Sequence, residues 1–264
     1  MKKPQILISV FGIILVLGLY QLPRVVVEND AETAVETHDF EITSTDAQAI
    51  SSLKELIASS EKEKSSNFAD SLAKYFLKYG LLDSARQVSE AMLKRDSSLI
   101  TKEKAVEILY RIFERAGSGD EASIQAVRLR PLIESLLEAK PNDLSLKNKL
   151  AMTLVTTENP MSGIQVLREI VADDPNNREA LINLGLLSIQ SGQFQRAVDR
   201  FENLVSMDSS DFEAKLYLGV SYLETGRVAE ANQMFTEVSN AESADPAVRQ
   251  ASREYLSRNL NIVV

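Results

Sequence analysis

Residues 181–201 read LINLGLLSIQSGQFQRAVDRF, and residues 215–235 read KLYLGVSYLETGRVAEANQMF. Aligned, Leu184-Gly185 falls on Leu218-Gly219, Gly192 on Gly226, Ala197 on Ala231 and Phe201 on Phe235, always at an interval of 34 residues. A fixed interval of that length means one supersecondary unit used repeatedly. A single unit cannot bury its own apolar face, so neighbouring units must stack, and stability is shared along the array. Composition agrees with helices and short connections: 10 Gly, 7 Pro and no Trp in 264 residues, of which 44% are hydrophobic.

The spacing resembles the tetratricopeptide repeat (TPR) family, whose 34-residue unit carries W-x2-L-G-x2-Y, then A-x3-F, then P. With Arg178 as position one, Leu181 stands where the family has Trp, and Leu184-Gly185 forms the L-G pair. Gly192 marks the turn, Ala197 the small contact and Phe201 the aromatic. The unit from Phe212 supplies Leu218-Gly219, Tyr222, Gly226, Ala231, Phe235 and Val238, but places Lys215 at the Trp position. One interval earlier, 144–177 offers Leu150-Ala151, Leu154, Gly163, Leu167, Ile170 and Pro175. Its turn, ENP, lets Asn159 cap a second helix that opens on Pro160. A degenerate unit at 66–99 carries Leu72-Ala73, Phe76, Gly80, Ala85 and Met92. Residues 100–143 are longer, with a helix near 102–116, a GSGD turn and a second helix that Pro131 is expected to kink or split.

The resemblance implies an all-α, right-handed TPR-type α-solenoid, here preceded by a single transmembrane helix. The organisation expected is a cytoplasmic stub and anchor (1–24), an acidic linker (25–46), N-terminal helices with degenerate TPR-like repeats (47–143), three repeats (144–177, 178–211, 212–245) and a capping helix with tail (246–264).

The anchor rests on residues 4–23, which carry no charge. Twenty helical residues span about 30 Å, the hydrocarbon thickness of a bilayer. Eleven of residues 6–20 are Leu, Ile, Val or Phe, favouring insertion by roughly 3–6 kcal/mol. A cleaved signal peptide begins the same way but ends on small residues; LYQLPRVVV, at 19–27, is bulky and branched. Lys2 and Lys3 ahead of the span, against Arg24 alone behind it, point to an N-terminus inside. For a bacterial protein that means a periplasmic body on an inner-membrane tether. Residues 28–46 hold seven acids and no Lys or Arg, a solvated spacer.

Several chemistries are excluded. There is no Cys, the single histidine, His38, lies in the spacer, and the net charge is −9. An acidic chain is a poor match for nucleic acid phosphates. The sequence contains no phosphate loop, no dinucleotide fingerprint, no H-E-x-x-H and no G-x-S-x-G elbow. No cofactor, no metal site and no catalytic residue are expected.

In TPR proteins, positions 2, 5, 9 and 12 of the first helix face the concave side. The resemblance therefore nominates Met152, Val155, Ile182, Leu186, Ile189, Leu216, Val220 and Leu223 as a protein-binding groove. The Lys and Asn clamp of chaperone-type TPRs is missing, because Ile182 and Leu186, then Leu216 and Val220, occupy its places. First helices apolar nearly all round need cover on both sides. Two sources remain open: an amphipathic or apolar helix from a partner protein, or the chain's own C-terminal helix, NIVV tail or residues 47–60. The layout is similar to bacterial inner-membrane TPR scaffolds, some of which act in c-type cytochrome assembly. The expectation is a non-enzymatic membrane-anchored adaptor; a permanent subunit of a larger membrane complex is the alternative.

Overall fold

In a computed structural model of the chain, the structure describes residues 42–157 and 159–260. The expected anchor, most of the acidic spacer, and the NIVV tail lie outside the described residues. Among the described residues every regular element is a helix, and none is long and apolar enough to cross a membrane.

The first five helices are α1 (Ser44–Ser59), α2 (Lys62–Lys78), α3 (Leu82–Arg95), α4 (Leu99–Ala116) and α5 (Asp120–Ala139). Next come α6 (Leu144–Val155), α7 (Pro160–Asp173), α8 (Arg178–Gln190) and α9 (Phe194–Met207). The last three are α10 (Phe212–Glu224), α11 (Val228–Asn240) and α12 (Pro246–Leu260). First helices start at Leu144, Arg178, Phe212 and Pro246, and second helices at Pro160, Phe194 and Val228. The 34-residue interval is therefore kept to the residue in the helix starts. The chain divides into two compact units, which meet in sequence at Ile170 and Val171.

Local chemistry explains the constancy. Asp143, Asn177 and Asp211 each accept the backbone N–H three residues on, at 3.0 Å, and so satisfy a donor that the first turn of α6, α8 or α10 leaves free. At the other end, Gly192 and Gly226 have φ of 71° and 78°. Arg227 N then donates to Tyr222 O at 2.8 Å and Gly226 N to Leu223 O at 3.0 Å, the two bonds of a Schellman close. Gly80 repeats this arrangement in the degenerate unit, with φ of 68° and Leu81 N on Phe76 O at 2.8 Å. Its hairpin, α2 with α3, is as well formed as the later ones, with Leu72, Ala73, Phe76, Ala85 and Met92 all buried.

Two departures from expectation stand out. Helix α1 begins at Ser44, three residues before the expected start, because Thr43 caps it through Asp46 N at 3.2 Å. Helix α5 runs unbroken through Pro131. Pro131 and Val127, whose carbonyl loses its usual donor, share an exposed face of the helix, open to solvent.

In the second unit the core forms between paired helices. A Cβ placed on Gly219 would lie 2.6 Å from the Phe235 ring, and one on Gly185 would clash likewise with the outer edge of the Phe201 ring. Phe201 and Phe235 are fully buried against those glycines. Helix α12 occupies the place of a further first helix and packs on α11 and α10. Its Val248 and Ser252 are buried, and Tyr255 stacks on Phe235 at 4.9 Å. In the first unit, a separate cluster gathers α1 to α6 around Leu72, Val106, Ile108, Leu129 and Ile133.

Candidate functional site

Each unit carries its own share of the expected groove. In the second, Ile182, Ile189, Leu216 and Val220 are core residues, Leu216 fully so, whereas Leu186 and Leu223 are half-buried. The reason is the side-by-side packing of first helices. Helix α10 lies against α8 and α12, so Ile182 and Leu216 at position 5, Val220 at position 9 and Ile189 at position 12 enter the packed interior. That packing is between neighbouring first helices, and the C-terminal helix α12 takes part in it beside α10. Of the expected groove residues in the second unit, Leu186 and Leu223 are the ones that stay partly accessible. Beside Leu223, burial pushes the half-buried carboxyl of Glu224 above its usual range. In the first unit, Met152 and Val155 are half-buried, and Asn148, at position 5 of its repeat, is fully buried.

The rim of the second unit is held by charge. Arg178 Nε donates to Asp211 Oδ2 at 2.7 Å, and its Nη2 to Glu213 Oε2 at 2.6 Å. These two carboxylates raise the guanidinium pKa, the hydrogen bond to Asp211 most of all. The start of one repeat is thereby tied to the start of the next. Lys215, the departure from the Trp position, keeps its stem inside and places Nζ 2.7 Å from Glu237 Oε2. This hydrogen bond holds the Glu237 carboxyl below the usual carboxylate range.

A different concavity was not anticipated from sequence. Within the first unit, α1, α2 and α3 enclose a cleft of about 480 Å³. Leu72 and Phe76 of α2 face it, with Ile57 on one side and Val88 and Met92 on the other. Lys54, Lys62 and Arg95 stand at its edge. No local pattern announces the cleft, because its walls come from three consecutive helices whose mutual packing, and not any one helix's periodicity, leaves the gap. Among the described residues, no group of three or more His, Cys, Asp or Glu side chains could hold a metal ion.

Comparison with known proteins agrees with this architecture. Residues 188–254 match the family described as tetratricopeptide repeat. A thermophilic TPR protein from Thermus thermophilus superposes with a TM-score of 0.55 at 17% identity, covering 74% of this chain and 99% of that one. A tetratricopeptide repeat protein from Parabacteroides merdae gives 0.54 at 13% identity, covering 82% of this chain and 89% of its own. None of the curated proteins compared by sequence matches the chain. The fold is that of stacked tetratricopeptide repeats.

Proposed function

We propose that the chain is a non-enzymatic adaptor, tethered to the inner membrane by residues 4–23, that holds partner proteins at the periplasmic face. The observation that carries this reading is the repeat array itself. Its first helices leave Leu186 and Leu223 half-buried on an otherwise filled seam, and array surfaces of this kind serve recognition. An amphipathic or apolar helix is the expected partner, because the accessible residues are aliphatic and no chemistry-bearing cluster accompanies them. The tether is supported by the uncharged run at 4–23 and the lysines ahead of it.

Photo-crosslinking in cells from Leu186 and Leu223 tests the binding half. Crosslinks to another polypeptide are expected from both positions, and links confined to the chain itself would rule the groove out. Fractionation tests the tether. The full chain is expected to sediment with membranes and resist alkaline carbonate, and a variant lacking residues 4–23 is expected to stay in the supernatant.

A further inference from the structure

We infer that the cleft between α1, α2 and α3 is a second protein-binding site, taking an acidic amphipathic segment of a partner polypeptide. The site lies wholly within the first unit and is separate from the groove proposed above. Its volume, about 480 Å³, is within the range of built ligand pockets. Its α2 side extends from Lys62 to Phe76, roughly 21 Å at 1.5 Å per residue, a length suited to a chain segment. The deep part is apolar: Leu72, Phe76 and Met92 are buried yet line it, beside Ile57 and Val88.

Charge identifies the occupant. Lys54 Nζ stands 6.0 Å from the Phe76 ring centre, and among the described residues neither Lys54 nor Lys62 has a carboxylate at salt-bridge distance. Arg95 donates to the carbonyls of Ile57 and Ser60 at 2.7 and 2.6 Å, which fixes the guanidinium in place without cancelling its charge. The one acid lining the cleft, Asp96, is hydrogen-bonded to Ser98 N, Ser98 Oγ and Thr101 Oγ1 at 3.0, 2.8 and 2.6 Å, and Lys62 acts on it only as the smallest of the charge and hydrogen-bond influences. A chain of net charge −9 thus gathers three cations against one acid around an apolar slot. Acidic side chains flanking an apolar stripe complement that pattern. A polypeptide suits it better than an acyl chain. Ser84 and Gln87 line the α3 side with no hydrogen-bond partner among the described residues, and a peptide backbone would satisfy them where a methylene chain would strip their water.

The test uses the purified full-length chain and two fluorescein-labelled synthetic helices. Both carry Leu at i, i+3, i+4 and i+7; one has Glu at the flanking positions and the other Lys. By anisotropy, the Glu peptide is expected to bind and to weaken with added salt. Its affinity is expected to fall about tenfold or more in the Lys54→Glu/Lys62→Glu variant, and to fall less in Lys54→Gln/Lys62→Gln. Both positions are exposed, so the melting temperature is expected to hold. The proposal is overturned by equal binding of both peptides, by binding of neither, or by indifference to both lysine variants. It is also overturned by displacement with dodecanoate, which would make the slot an acyl site. Benzoylphenylalanine placed at Val88 that crosslinks to residues 28–41 would overturn it too, by assigning the slot to the chain's own acidic segment. Leu186→Asp and Leu223→Asp are expected to leave peptide binding unchanged, so failure of one site is distinguishable from failure of the other.

Discussion

At the scale of single residues, glycine does two unrelated jobs in this chain, and substitution separates them. Gly219 is a helical residue whose missing side chain makes room for Phe235. Gly219→Ala forces that fully buried ring to move and is expected to cost about 1–3 kcal/mol. Gly226 is different: a Cβ there meets nothing, but φ is 78°. Gly226→Ala is expected to cost about 1–2 kcal/mol through the left-handed backbone alone. Chemical denaturation measures both. Combining each with Phe235→Leu tells them apart, since the smaller side chain relieves the first substitution and leaves the second unrelieved.

Among the elements, α12 is the one whose docking has a titratable test. Tyr255 lies against Phe235, and burial pushes its phenol up to about 12, with smaller raising contributions from Glu224 and Glu254. A raised folded-state pKa means that the contribution of the neutral phenol is fully present below the ordinary tyrosine pKa of about 10. It is lost as pH rises through the folded value. Stability of the second unit is therefore expected to decline between about pH 10 and pH 12, and Tyr255→Phe is expected to flatten part of that decline. Denaturation midpoints across this pH range provide the measurement. An unchanged slope in Tyr255→Phe would mean that α12 does not depend on this contact.

For the whole molecule, the pattern of unfolding is set by two separate apolar clusters among the described residues. Repeat arrays are stabilised between neighbours, so damage is felt first nearby. Leu216 is fully buried at the seam of three first helices. Leu216→Asp places an unpaired charge there and is expected to cost about 4 kcal/mol or more. Hydrogen exchange is expected to show amides of α8 to α12 losing protection while those of α2 to α4 keep theirs. Uniform loss across both sets would mean that the chain unfolds as a single cooperative unit.

The repeat interval, the helix boundaries from Leu144 onward and the glycine turns are all legible in the sequence. They follow from caps, turn residues and 3.6-residue periodicity, local properties that a chain carries before it folds. Even Gly80, in the weakest of the repeats, marks its turn. Tertiary packing decided the rest. Whether a position 5, 9 or 12 aliphatic is groove or core depends on how closely the adjacent first helix approaches, which no single helix encodes; hence Ile182, Ile189, Leu216 and Val220 are buried while Leu186 and Leu223 are only half-buried. The tolerance of α5 for Pro131 depended on which face met water. The cleft beside Phe76 depends on how α1, α2 and α3 close around a shared gap, which brings Arg95 to the same edge as Lys54 and Lys62.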